Sequence, residues 1–312
     1  MILSVSRRTD IPCYYSDWFI NRIKAGYLCV RNPFNADRIS RISLSPDVID
    51  CIVFWTKNPA NMIDRLDELK GYEYYFQFTL TGYGKDVEPN LPDKKSVLVP
   101  TFRKLSERIG KRRVVWRYDP ILFNDRYTPE YHIRAFGELC ELLCGYTDRI
   151  VISFVDLYAK TKKNTESLCL KAASENDMTS LAAELSRIAD VHGLEIYTCA
   201  ESVDLSSVGI EHGSCIDKRL IEELTGFTLK CAKDKNQRGE CGCFESIDVG
   251  AYNTCKNGCK YCYANFNDKL VDRHVSEYDP LSPILCGKIS VGEEVTDRKI
   301  ESFRERQMSF LK

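Results

Sequence analysis

The sequence predicts an α/β fold: a partial (β/α)6, TIM-like barrel over residues 1–200, with a cysteine-rich C-terminal segment, 201–312, folding over the barrel mouth. Three observations carry this expectation. Six short apolar runs alternate with helical patterns, which is how a parallel sheet covered by helices reads. The first run stands at residues 2–6 and no G-x-G-x-x-G follows it, so a dinucleotide-binding crevice has no support. Eight of the fifteen cysteines crowd between Cys199 and Cys262, which leaves the earlier part of the chain to build the scaffold.

The elements follow in order. Ile2–Ser6 is an apolar run that stops at Arg7-Arg8-Thr9-Asp10. A helical pattern spans Ser16–Ala25, and Gly26 is placed to end it. Tyr27–Arg31 and Ile39–Leu44 read as a strand pair around the turn-rich Asn32-Pro33-Phe34-Asn35. Cys51–Thr56 is a buried strand, and Pro59–Leu69 a helix. Tyr74–Leu80 is the next strand, with a helix near Lys94–Ile109. Arg113–Tyr118 pairs with a helix at Pro129–Leu143, and Ile150–Val155 with one near Thr179–His192. Glu195–Cys199 is the sixth strand, followed after a loop by a helix at Asp217–Leu224. The final stretch, Glu293–Lys312, has the charge pattern of an amphipathic surface helix.

Composition narrows the function classes. Forty-four Lys and Arg against forty-five Asp and Glu give a net charge of −1, without the basic excess that advertises nucleic acid or an anionic membrane. The first residues have no basic region ahead of a long apolar run, and no apolar span reaches eighteen residues. A cytoplasmic protein is the expectation. Cytosolic thiols stay reduced, so a high cysteine count points to metal or catalysis rather than disulfides. Cys13, Cys29, Cys51, Cys140, Cys144, Cys169 and Cys286 are scattered and read as small core or surface residues.

The densest chemistry lies at Cys255–Asn265, C-K-N-G-C-K-Y-C-Y-A-N. Its thiols stand at i, i+4 and i+7, and the Asn-Gly between the first two lets the chain turn tightly between ligands. Three thiolates leave one iron of a 4Fe–4S cube open, as a reactive site requires. A zinc knuckle with a fourth ligand from elsewhere is the structural alternative. The spacing, with Tyr261 before the last cysteine, resembles the CxxxCxΦC motif of radical S-adenosylmethionine enzymes. That resemblance implies S-adenosylmethionine on the open iron at Cys255, Cys259 and Cys262, Tyr261 near the adenine, and a partial (β/α)6 barrel. It also implies an electron donor such as flavodoxin or ferredoxin. In most of that family the cysteines follow the first strand; here they follow all six. S-R-R-T-D-I-P, R-N-P-F-N, F-W-T-K-N-P, W-R-Y-D-P and D-V-G-A-Y-N-T-C together resemble an uncharacterised bacterial family with a C-terminal CxxxCxYC. The Y-C-Y-A-N ending is locally similar to spore photoproduct lyases, which would imply nucleic-acid repair, with Lys111-Arg112-Arg113 as a small basic run.

Polar residues gather where the apolar runs finish, the rim that hosts chemistry in a parallel barrel. They are Arg7, Arg8 and Asp10, Trp55 to Asn58, Gln77, Thr79 and Thr81, Arg117 to Asp119, Ser153, Asp156 and Tyr158, and Glu201. Each singly could cap a helix or pair with a neighbour. As a set they offer Arg7, Lys57, Arg117 and Asp119 for catalysis or binding, and Glu201 for a cofactor's hydroxyls. Cys199, Cys215, Cys241 and Cys243 could close a four-thiolate site, with Cys231 as a spare. A second 4Fe–4S cluster and a zinc ion both suit four thiolates, and the residues do not choose. A metal-stabilised binding protein without catalysis is the rival from another class. The substrate, small molecule or macromolecule, is not written in the chain.

Overall fold

The computed structural model describes residues 1–33, 35–156 and 159–305. The strands are β1 (Ile2–Val5), β2 (Tyr27–Asn32), β3 (Asn35–Ser43), β4 (Cys51–Thr56), β5 (Tyr74–Thr79), β6 (Val114–Ile121), β7 (Arg149–Phe154), β8 (Glu195–Cys199), β9 (Glu211–Gly213), β10 (Ile247–Asp248) and β11 (Glu294–Asp297). The helices are α1 (Ile11–Tyr14), α2 (Ser16–Ala25), α3 (Ala60–Ile63), α4 (Val99–Ile109), α5 (Pro129–Leu143), α6 (Ala159–Thr165), α7 (Glu175–Val191), α8 (Lys218–Thr225) and α9 (Asp268–Ser276). The protein is an α/β fold built on one eight-stranded sheet, ordered β10-β1-β4-β5-β6-β7-β8-β9, in which every pairing is parallel. No described helix is long and apolar enough to cross a membrane.

All six expected strands are present and run consecutively across this sheet. Two more join its edges: β9 beside β8, and β10 beside β1. The count is therefore eight rather than six. Residues 211–213 and 247–248, from the cysteine-rich segment, are thus part of the main sheet.

Both sheet faces are buried, and the period-2 alternation of strands divides them cleanly. Leu3, Ile52, Phe54, Phe76, Trp116, Ile150 and Ile152 pack toward α2, α4, α5 and α7. Phe54 stacks on Phe76 at 4.7 Å between ring centroids, and Trp116 on Phe136 of α5 at 5.2 Å. Aromatic pairs of this kind add roughly 0.5–1.5 kcal/mol beyond the area they bury. The intervening residues, Ile2, Val53, Tyr75, Val115 and Val151, face Ile216, Leu220, Ile221, Leu229, Cys241 and Cys243 of the segment after β8.

Local signals set most helix ends. Helix α2 ends at Gly26, whose φ of 76° accepts the left-handed cap. Thr128 caps α5 by accepting from the Tyr131 N–H, and Ser174 with Asp177 forms a capping box on α7, which starts earlier than Thr179. The expected helix at Pro59–Leu69 is only α3 and a separate 3₁₀ turn at Leu66–Leu69. The region 94–98 is a π turn that leads into α4.

The expected helix at 293–312 is not there: Glu294–Asp297 forms β11, parallel to β3 in a three-stranded sheet with β2. Its residues are all exposed, Asp297 pairs with Arg41 of β3, and Arg31 of β2 holds Glu293 just before it, so the charge pattern reflects an exposed edge strand rather than a helix face. Residues 306–312 of that expected helix, Phe34 of the expected turn and Tyr158 of the expected rim lie outside the described residues.

His132 on α5 is wholly buried, with Nδ1 against the Tyr118 hydroxyl at 2.8 Å and Nε2 against the Leu122 carbonyl at 2.9 Å. Since a carbonyl only accepts, Nε2 carries the proton and Nδ1 accepts from tyrosine. Burial pushes this imidazole down from 6.5 to about 4. Its folded value lies below the unfolded one, so its stability contribution is complete above pH 6.5 and is lost as pH falls toward 4. Urea unfolding at pH 7 and pH 4.5 should show a loss of about 2.4 kcal/mol from this group. A His132→Gln variant with the same pH dependence as the parent would contradict it.

Candidate metal centre

The inner sheet face changes character along each strand. Ile2, Val53, Tyr75, Val115 and Val151 are apolar, whereas two to four residues further on come Ser6, Trp55, Thr79, Asp119 and Ser153. That switch opens a cavity of about 720 Å³ at the C-terminal ends of the strands. Its wall includes Arg7, Lys57, Arg117 and Asp119 from the sheet side. Facing them are Cys199, Cys215, Cys241 and Cys243, and Cys255, Cys259, Tyr261 and Cys262. Both cysteine sets and the four residues offered for catalysis or binding therefore share one space.

The 255–262 loop is fixed by polar contacts from the early part of the chain. Asp10 caps α1 by accepting from Cys13 N–H, and its other oxygen accepts from Lys57 N–H at 2.7 Å and Asn257 Nδ2 at 3.2 Å. Tyr14 donates to Asn257 Oδ1 at 2.7 Å, and Tyr15 to the Thr254 carbonyl at 2.5 Å. Asn90 holds the Lys256 carbonyl, and Lys260 N–H bonds to the Val87 carbonyl. Gly258 has φ of +67°, and a Cβ there would stand 3.0 Å from Asn90 Nδ2, so glycine is required for both conformation and space.

Cys255 and Cys259 are buried, Cys262 half-buried. Burial pushes the Cys255 thiol up to about 12 and also raises Cys259 and Cys262. Without a metal these are neutral thiols; a metal would take them as thiolates and release protons. Among the described residues no group of three or more His, Cys, Asp and Glu is gathered to grip a single ion. Three cysteine thiols on one wall of the cavity are soft donors of the kind that metal ions and iron–sulfur clusters take.

Beside this loop lies a charged knot that the sequence did not reveal. Glu88 is 1% exposed and binds Lys57 Nζ at 2.8 Å, Thr81 Oγ1 at 2.9 Å, Lys94 Nζ and the Tyr261 hydroxyl. Burial opposes its charge, yet the two ammoniums hold its pKa down at about 2. Burial works against both lysines as well. It prevails at Lys94, whose pKa falls, while Glu88 and Cys259 outweigh it at Lys57, whose pKa rises. Two cations against one carboxylate leave one positive charge next to Cys259. Lys57 is thus not a free anchor for a ligand but part of the mount for Tyr261.

Arg7 and Arg117 both place their guanidinium over the Trp55 ring, at 5.3 and 5.4 Å. Arg117 is 5% exposed and donates through Nε to Asp119 at 3.0 Å and through Nη2 at 2.5 Å. Its Nη1 points at Cys215 Sγ, 2.6 Å away. Arg7 Nη2 is buried with no hydrogen-bond partner. The backbone around Arg7 is held by Asp248 of β10, which accepts from Arg7 N–H at 2.8 Å, Ser6 Oγ at 2.7 Å, Ser4 Oγ at 2.9 Å and Gly250 N–H at 3.0 Å.

Glu201 is elsewhere. Its carboxylate accepts from Phe154 N–H at 2.7 Å, and it is not part of the cavity lining. Asp156 pairs with Arg238 on the wall. Cys231 stays off the wall, packed behind Cys215 and Cys241. His274 bonds the Asn253 carbonyl at 3.0 Å through Nδ1. In the basic run, Lys111 pairs with Asp148 and Arg113 with Glu73. Residues missed by the sequence reading are Glu88 and Lys94, which stand at no strand end and in no spaced motif, and Asp248, which ends β10 and opens the D-V-G-A-Y-N-T-C run but is not among the candidate site residues.

A family model described as a domain of unknown function, DUF1848, matches residues 2–264. No curated protein matches the chain. Among solved structures, one described as "a putative alpha-L-fucosidase from Bacteroides thetaiotaomicron VPI-5482" is similar at 12% identity and a TM-score of 0.27. The likeness covers 50% of this chain and 66% of that one, just under two thirds of its length, and carries no argument.

Proposed function

The chain belongs to the family described as a domain of unknown function, DUF1848, and we propose that it is an iron–sulfur enzyme of the radical S-adenosylmethionine type. One observation carries the reading: Cys255, Cys259, Tyr261 and Cys262 line the same cavity as Arg7, Arg117 and Asp119, at the C-terminal ends of parallel strands. That volume falls within the range of ligand sites. The consecutive order of six strands supports a partial barrel, and cysteines on the opposite wall support a cap over its mouth.

A 4Fe–4S cluster on the three thiolates, with S-adenosylmethionine on its open iron, would supply a 5′-deoxyadenosyl radical for hydrogen abstraction from a substrate, given an electron from a donor such as flavodoxin or ferredoxin. The chain's own residues bind and orient. Lys57 and Lys94, only half offset by Glu88, place positive charge beside anionic sulfur. Arg7 offers an unpartnered Nη2 to a carboxylate, and Trp55 holds its guanidinium in place. Asp119 is one of the carboxylates on the wall and the one placed here against a ribose hydroxyl, a role Glu201 is not positioned to take. Tyr261 is locked by Glu88 and walls off water next to the cluster position.

Anaerobic reconstitution tests the reading. The parent protein should bind iron and sulfide, absorb near ~400 nm and convert S-adenosylmethionine to 5′-deoxyadenosine under reducing conditions. A Cys255→Ala, Cys259→Ala, Cys262→Ala triple variant should lose roughly four irons and all cleavage. Cleavage surviving in that variant would sink the proposal; zinc in place of iron would favour the non-catalytic metal protein.

A further inference from the structure

We propose that Cys199 and Cys215 form a redox-active dithiol, oxidised to an intramolecular disulfide by exchange with a small-molecule disulfide that enters the cavity. This chemistry needs no metal and is independent of the reaction proposed for Cys255, Cys259 and Cys262.

Both thiols are free and stand sulfur to sulfur, with Cys199 Sγ and Cys215 Sγ 2.8 Å apart. A disulfide bond is about 2.05 Å long, so closure takes a movement of roughly 0.8 Å, the scale of a small side-chain rotation.

The scaffold fixes each partner from a different side. Cys199 ends β8 opposite Gly213 of β9, and Cys215 follows two residues after that glycine. A Cβ at Gly213 would stand 2.8 Å from Tyr197 Cβ and 3.0 Å from the Thr198 carbonyl oxygen, so glycine lets β9 lie close against β8. Tyr75 Oη and Gln77 Nε2, both buried on β5, donate to the Cys215 carbonyl at 2.6 and 2.9 Å. A strand end thus holds one thiol, and two side chains of another strand hold the second.

Charge separates this pair from two thiols that merely pack together. Arg117 is 5% exposed and aims Nη1 at Cys215 Sγ, 2.6 Å away, while its Nε and Nη2 hold Asp119. A neutral thiol is a weak acceptor and returns little to a buried guanidinium. A thiolate returns a charge-assisted bond, and the thiolate is the form that reacts.

Access sets the order of attack. Both sulfurs line the cavity of about 720 Å³, but Cys199 is half-buried and Cys215 only 3% exposed. The Cys199 thiolate bonds to one sulfur of the incoming RS–SR and expels the other as RS⁻. Cys215, as a thiolate beside Arg117, then attacks Cys199 Sγ and expels the second RS⁻. The pair gives up two electrons and two protons, and RS–SR becomes two RSH. Oxidation removes the negative charge in front of Arg117, so a ligand in the cavity meets a more positive wall.

The test treats full-length protein, purified and reconstituted with iron and sulfide without oxygen, with bis(2-hydroxyethyl) disulfide. Remaining thiols are then alkylated and the cysteines mapped by mass spectrometry. The parent should gain a Cys199–Cys215 cross-link and lose two thiols that dithiothreitol restores, a result that needs no variant to fold. Cys215→Ser should trap Cys199 as a mixed disulfide with the reagent, whereas Cys199→Ser should leave Cys215 unmodified. The reverse pattern would overturn the order of attack. If Cys199 and Cys215 stay unlinked in the parent while the exposed Cys144 and Cys169 take up the reagent, the dithiol is refuted. A cross-link from either cysteine to Cys241 or Cys243 in place of the pair would refute it as well.

Discussion

Glu88→Ala should remove roughly 3–5 kcal/mol of folding stability, the cost of leaving buried charge without its partner. Glu88 is the carboxylate that Lys57 and Lys94 share, their side chains 13% and 17% exposed, and it also anchors Tyr261. Urea unfolding of the metal-free protein measures the loss; a change below 1 kcal/mol would refute it. The pH dependence has a definite sign. The folded pKa of about 2 lies below the usual 4.5, so the contribution of Glu88 is complete above pH 4.5 and is lost as pH falls toward 2. Glu88→Gln should lack that acid-side decline. Cluster loading should fall too, because Tyr261 lies between two of the proposed ligands and loses its anchor.

Asp248→Ala should cost about 3 kcal/mol or more, since hydrogen bonds to a charged acceptor contribute about 1.5–3 kcal/mol each and this carboxylate collects four. Its strand is only two residues long, so backbone pairing alone cannot hold β10 against β1. The side chain does most of the fastening, and Val249 N–H to the Ser4 carbonyl adds one bond. Iron content should therefore drop at the 255–262 centre along with stability. Asp248→Asn, which keeps the shape and part of the bonding, should lie between alanine and parent. A variant that unfolds like the parent and loads iron fully would show that the loop docks by other means.

The sheet was legible because burial on both faces wrote it as uninterrupted apolar runs such as Cys51–Thr56. Helices with chemical stops, Ser16–Ala25 before Gly26 and Pro129–Leu143 after Thr128, were legible to the residue. Strands β9 and β10 were not: Glu-His-Gly and Ile-Asp are too short to show a period, and both exist because a neighbouring edge was open. The cysteine spacings, Cys-Gly-Cys and Cys-x3-Cys-x2-Cys, stood out in the sequence, and both line the cavity. The carboxylates did not. Glu88 sits nine residues beyond β5, in a loop rich in Gly and Pro, and reaches the site only by the path that loop takes. Glu201 follows a strand end directly, yet Ala200 takes a left-handed φ of 56° and turns the chain so that the side chain meets Phe154 N–H instead of the cavity.

The position of β1 has a consequence for how the chain is made. It precedes every other described strand in the chain, and its four residues are wholly buried between β4 and β10. On the β4 side its partner arrives some fifty residues later; on the other it arrives only with Ile247 and Asp248. For most of synthesis one flank of β1 is an unpaired apolar ribbon, open to pairing with another nascent chain. The two residues of β10 seal that flank, and after six more residues the eight from Cys255 to Cys262 emerge. Closure of the sheet and delivery of the metal-binding loop are thus a single late event, and a chain stalled before residue 247 would be both metal-free and prone to aggregate.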